Sequence, residues 1–233
     1  MQQPNTHSFP YSSKRRHTIL SYIKDPGSAI THFIAMLLAL FALPPLVIKA
    51  TNGMNHAHTG SFVIFIITMI LLYGASTTYH SFNLSESKNE LLKKLDHCMI
   101  FIMIAGSYTP VCTIVLEKPI GTILLSIVWG IAIAGILLKL CFIHCPKWIS
   151  SVIYIAMGWT CVLAFQPIYY GLTTLQFGFL LAGGIIYTIG GIIYALKLPI
   201  FNNRHKNFGS HEIFHLFVMA GSVCHFLLMY DLA

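Results

Sequence analysis

The chain has 233 residues, of which 56% are hydrophobic and only 9% charged. Soluble globular domains carry roughly 25% charged residues, so this composition excludes an ordinary soluble fold and points to a membrane. The formal net charge is +7. No basic stretch is interleaved with aromatic residues, which argues against nucleic acid as a partner.

In chain order, the first 28 residues are polar and include Ser12-Ser13-Lys14-Arg15-Arg16-His17. They lack the apolar run and small-residue cleavage site of a signal peptide, so residues 1–28 are expected to remain as a short cytoplasmic tail. Apolar runs follow near 29–48, 60–82, 97–116, 120–138, 148–168, 175–196 and 212–230. Each approaches the ~20 residues with which an α-helix crosses the hydrocarbon layer. The expected fold is therefore an all-α integral membrane protein, with residues 29–233 forming one seven-helix transmembrane domain.

The basic residues orient this bundle. With the N-terminus inside and seven alternating helices, the inner side receives Lys14, Arg15, Arg16, Lys24, Lys88, Lys93, Lys94, Lys139, Lys147, Lys197, Arg204 and Lys206. Only Lys49 and Lys118 fall outside. That asymmetry obeys the positive-inside rule and places the N-terminus in the cytoplasm and the C-terminus outside. Attraction to anionic headgroups is a secondary consequence.

The links are short. The inner link 83–96 is the most charged and is expected to form a short interfacial helix capped by Ser85. The link 197–211 carries the turn formers Pro199, Asn202, Asn203 and Gly209. Gly183-Gly184 and Gly190-Gly191 would let helices approach closely. No internal repeat of the transporter kind is visible. Of the six cysteines, Cys141 and Cys145 flank His144 in a small cluster; packing by reduced thiols is the simpler reading, with a second metal site as the alternative.

Ionisable residues at membrane depth are costly and tend to be functional. Helix two ends in Ser76-Thr77-Thr78-Tyr79-His80, helix three begins with Asp96-His97, and helix seven begins with His211-Glu212-Ile213-Phe214-His215. His211 and His215 are four apart and share a helix face. The pentad also reads HExxH, the zinc-protease signature, in which Glu212 would be the general base. The alternating topology, however, brings His80, Ser76 and Asp96 to the same cytoplasmic depth. His80, His211 and His215 with one open position would make a catalytic-type zinc site. Asp96 would orient or deprotonate the water, and Ser76 would support it. Asp96 could instead cap helix three. His56, His58 and His144 read as interfacial residues, and His225 lies too far along its helix to share the metal.

Ser76-x-x-x-His80, Leu95-Asp96-His97 followed by Ala105-Gly106-Ser107-Tyr108-Thr109-Pro110, and Ser210-His211-Glu212-Ile213-Phe214-His215 together resemble the progestin and adipoQ receptor superfamily. Ala29-Ile30-Thr31-His32 and Gly221-Ser222-Val223-Cys224-His225 bring the resemblance to its bacterial hemolysin III branch. It implies seven helices, N-terminus inside, in a bacterial plasma membrane. It implies zinc on His80, His211 and His215, with Asp96 and Ser76 beside the water. It also implies metal-assisted hydrolysis of an amide- or ester-linked lipid, or a role in membrane homeostasis. A sensor with structural zinc, a pore or lytic protein, and a peptide-cleaving HExxH enzyme are the competing readings.

Overall fold

The computed structural model describes residues 23–142, 146–196 and 209–233. Among them the chain is helical throughout. The elements are α1 (Pro26–Asn52), α2 (Thr59–Ser81), α3 (Glu86–Pro110), α4 (Lys118–Cys141), α5 (Lys147–Gly158), α6 (Phe165–Gly171), α7 (Thr174–Leu196) and α8 (Ser210–Leu232). A 3₁₀ stretch, Trp159–Ala164, joins α5 to α6, and the two make one span. Among the described residues, seven helices are long and apolar enough to cross a membrane.

Proline and glycine account for the irregular places. Pro110 ends the regular part of α3, and the chain continues through a π-helical turn, Val111–Val115. A proline removes an amide donor and crowds the preceding turn, so the ladder is redrawn around it. The α5–α6 span loosens at Gly158, where α5 gives way to the 3₁₀ stretch.

Packing is a ring. α1 lies against α2 and α8, α2 against α3, α3 against α4 and α5, α5 against α7, and α7 against α8. Phe62, Phe65, Ile66, Phe101 and Val128 are wholly buried between helices. Large apolar side chains also face outward on almost every helix, among them Phe41 at 77%, Leu163 at 74% and Ile123 at 61% exposure. A soluble protein rarely leaves such surface open, whereas lipid tails cover it without cost.

Three local expectations change. The inner link 83–96 is no separate interfacial helix: from Glu86 it is the first part of α3, in one continuous helix. Ser85 stands at the N-cap position but its hydroxyl makes no cap bond; Asn89 Oδ1 accepts from the Leu84 N–H instead. Because α3 begins ten residues earlier, Asp96 lies in the helix interior and is not its cap. Lys139, which follows a run expected to end near residue 138, is in the last turn of α4 and buried, with its ammonium donating to Ser150 Oγ.

The glycine pairs of α7 do serve close approach. Added methyls at Gly183, Gly190 and Gly191 would meet His225, Phe217 and Ile155, respectively, while Gly184 faces a cavity. His144, Cys145, the tail 1–22 and the turn formers Pro199, Asn202 and Asn203 lie outside the described residues, as do Lys14, Arg15, Arg16, Lys197, Arg204 and Lys206.

Candidate metal centre

The C-terminus of α2 is where the site begins. A helix end leaves carbonyls without partners. Here the segment entering α1 supplies them: the Asp25 N–H donates to His80 O at 2.9 Å and the Lys24 N–H to Ser81 O at 3.3 Å. The Lys24 ammonium sits over the Tyr79 ring at 3.6 Å, where desolvation lowers its pKa from the ordinary lysine value. This docking places the Asp25 carboxylate on His80, with Oδ2 3.0 Å from Nδ1. His80 Nε2 is thereby left to point into the bundle.

His211 and His215 come from the first turns of α8. His80 Nε2 and His211 Nε2 are 3.2 Å apart. One ligand nitrogen from each of His80, His211 and His215 falls within 4.8 Å of the others. Tetrahedral zinc with Zn–N bonds of about 2.05 Å separates its ligand nitrogens by about 3.3 Å, which matches the His80–His211 spacing, and the three imidazoles form a group that could hold such an ion. On His215 the other nitrogen, Nδ1, stands 3.3 Å from Thr31 Oγ1 of α1. Two of the three imidazoles are thus oriented by a partner on the far ring nitrogen, as metal-binding histidines usually are.

Asp96 and Ser76 reach the same place from α3 and α2. Both are buried, with the Ser76 hydroxyl beside the Asp96 carboxylate. Asp96 stands outside the ligand group but lines the same cavity as His211 and His215. Its neighbour His97 lies 3.6 Å from Asp96 Oδ2 and directs Nδ1 to Lys93 O at 2.8 Å.

Glu212, the middle residue of the HExxH string, faces elsewhere. Its Oε2 accepts from the Gly209 N–H at 2.7 Å, closing the start of α8, and its Oε1 accepts from Ser28 Oγ at 2.6 Å. Both oxygens are engaged in joining α8 to α1. A carboxylate held in this way is a helix-end fastener rather than a base aimed at a water.

From the cluster a cavity of about 150 Å³ runs toward the middle of the bundle. Its walls are largely apolar, with Leu72, Ile100, Met103, Ile104, Ile155 and Val218. A second cavity of about 90 Å³ shares Tyr108, Trp159, Gly184 and His225 with the first. The second is also walled by Val162 and Phe165, 56% and 54% exposed, so the pair reaches the lipid-facing surface.

A sequence profile described as "Haemolysin-III related" matches residues 20–226 of this chain. The chain belongs to that family. It is 39% identical to "Hemolysin-3" of Bacillus cereus, over 88% of this chain and 90% of the relative. It is 38% identical to a "Hemolysin-3 homolog" of Bacillus subtilis (strain 168), over 87% of this chain and 91% of that one. An "Adiponectin receptor protein" of Drosophila melanogaster is 26% identical over 87% of this chain and 49% of its own length. These relatives place the hemolysin III fold within the progestin and adipoQ receptor superfamily.

Asp25 and Thr31 were not assigned to the site from sequence. Asp25, directly before Pro26-Gly27, stands at the N-cap position of α1. Its side chain makes no cap bond because the carboxylate is turned to His80.

Proposed function

We propose that this hemolysin III protein is a zinc-dependent hydrolase of an amide- or ester-linked membrane lipid. The observation that carries this reading is a three-imidazole cluster at one end of an apolar cavity with a buried carboxylate, Asp96, in the cavity wall. Zinc held by His80, His211 and His215 supplies Lewis acidity and brings the pKa of a water to about 7. Three protein ligands leave a position open, as catalytic zinc sites do and structural sites generally do not.

The chain's own residues supply the rest. Asp25 and Thr31 hold the imidazoles of His80 and His215 from behind, which fixes the orientation of the nitrogens that face the metal. Asp96 accepts a proton at its carboxylate and returns it to the leaving group. Ser76, beside that carboxylate, supports its orientation. Ile100, Met103, Ile104 and Val218 hold an alkyl chain and keep bulk water away from the polar end. The inner-side basic residues set the cluster at the cytoplasmic face of the bacterial plasma membrane.

The test is zinc content and lipid turnover in detergent-purified protein. Wild type is expected to carry one zinc per chain and to hydrolyse an acyl amide or ester lipid. His211→Ala should lose both zinc and turnover. Asp96→Asn should keep zinc and lose turnover by roughly 10²-fold or more. Full turnover in metal-free wild type would end this reading.

A regulator with structural zinc is the second reading, and one observation favours it. α2 packs against α1 and α3, and meets α8 through these histidines and through the hydrogen bond from Tyr73 Oη to Ser222 Oγ. A metal tying such helices together would stabilise the bundle whether or not it turned over substrate. Zinc-dependent thermal stability with no lipid consumed is the result that would select this second reading.

A further inference from the structure

His32, on α1, is only 3% exposed and lines the larger cavity. Its ring lies parallel to that of His215, with centroids 3.5 Å apart and planes 7° from parallel. The Tyr73 ring packs against the His32 ring edge-on, with centroids 5.0 Å apart and planes at 67°. The stack determines where the ring sits. It leaves both ring nitrogens, Nδ1 and Nε2, buried with no hydrogen-bond partner among the described residues.

This is an unusual state for imidazole. Buried polar atoms in native proteins are nearly always paired, because leaving one unpaired forfeits its hydration with nothing in exchange. The neighbouring Thr31 hydroxyl lies beside His215 Nδ1 and also donates to Gly27 O and Ser28 O. His32 is no fourth ligand either, since the metal-binding group closes on His80, His211 and His215 without it. The polar side chains that line the same cavity, Ser76, Asp96, Ser107 and Tyr108 among them, make no hydrogen bond to either His32 nitrogen. A partner for His32 therefore has to come from what fills the cavity.

We propose that His32 binds a hydroxyl group of an amphiphilic ligand whose polar end reaches the three-histidine centre and whose chain lies in the cavity. The proposal rests on the reading of that cavity as a lipid site and adds the group that selects among lipids. Neutral imidazole presents one donor and one acceptor, and which nitrogen is which depends on the tautomer. A hydroxyl serves as either partner, so it satisfies whichever nitrogen it meets. A plain alkyl chain satisfies neither, and a site built to hydrogen-bond a hydroxyl rejects an analogue that lacks it. Proximity of His32 to the ligand His215 places the hydroxyl close to the metal-directed group, within a carbon or two along the chain.

The test compares dodecanoate with 2-hydroxydodecanoate, each enantiomer separately, by calorimetry on detergent-purified full-length protein of measured zinc content. Wild type is expected to bind one hydroxylated enantiomer roughly tenfold more tightly than dodecanoate, the size of one well-placed buried hydrogen bond. His32→Phe keeps an aromatic ring against His215 and removes the nitrogens. It should retain zinc and dodecanoate affinity and bind the acids alike. His32→Gln, which restores a donor and an acceptor, should recover part of the preference, and it provides the comparison should the Phe variant not fold. Equal binding of the acids by wild type, or a preference that survives in His32→Phe, would overturn the role of His32 while leaving the lipid cavity standing. If neither acid binds wild type, the lipid reading and the role of His32 fall together.

Discussion

His80 Nδ1 stands 3.0 Å from Asp25 Oδ2, so a carboxylate at the entry to α1 orients an imidazole at the end of α2. The pair forms because backbone amides of residues 24 and 25 complete the carbonyls of that helix end. Removing such a supporting carboxylate from a metal-binding histidine lowers metal affinity by roughly 10–100-fold. Asp25→Asn is expected to fall in that range in a chelator competition for zinc, with the helical circular dichroism unchanged. Unaltered affinity would mean that His80 is oriented without Asp25.

Glu212 offers a clean separation of the protease reading from the lipid one. Its oxygens receive the Gly209 N–H and the Ser28 hydroxyl. Glu212→Gln should therefore keep zinc and any lipid turnover within a few-fold. Glutamine keeps one acceptor oxygen, so loss of the other bond should cost about 0.5–2 kcal/mol, seen as a lower melting temperature in detergent. A loss of turnover on the scale of a missing general base would restore Glu212 to that role.

A hydroxyl cluster in the bundle interior carries a stability prediction. Ser222 Oγ lies 2.6 Å from Tyr73 Oη and 2.9 Å from Tyr187 Oη, joining α2, α7 and α8. Ser222→Ala leaves two phenols without their hydrogen-bond partner, one buried and one half-buried, whereas Tyr73→Phe or Tyr187→Phe removes one hydroxyl cleanly. Each orphaned group costs about 1–3 kcal/mol. Ser222→Ala should therefore melt below either phenylalanine variant. The opposite order would show that the tyrosines find other acceptors.

The charges predict an orientation in the membrane, and labelling reads it. Met54, 96% exposed, lies in the link after α1, and Ser87 lies in the first turn of α3. In a chain depleted of native cysteines, an impermeant maleimide applied to intact cells should label Met54→Cys and spare Ser87→Cys. Reversed labelling would invert the bundle and place the histidine cluster outside.

Read alone, the sequence determined the class, the seven spans and the depth at which the ionisable residues gather. Those conclusions rest on helix length against bilayer thickness and on the sidedness of lysine and arginine, which are one-dimensional properties. The four-residue spacing of His211 and His215 is likewise local, so their shared face was legible. Tertiary structure alone decided direction and partnership. Glu212 sits one residue from His211, yet contacts with Ser28 and Gly209 turn it from the cluster to the end of its helix. Asp25 stands at the N-cap position of α1, yet its carboxylate lies on His80 because two helix ends meet there. His32 carries no motif spacing to His215, and its stack depends on α1 packing against α8. Depth in a membrane is set by position along one helix, whereas the side chains a residue faces are set by its neighbours.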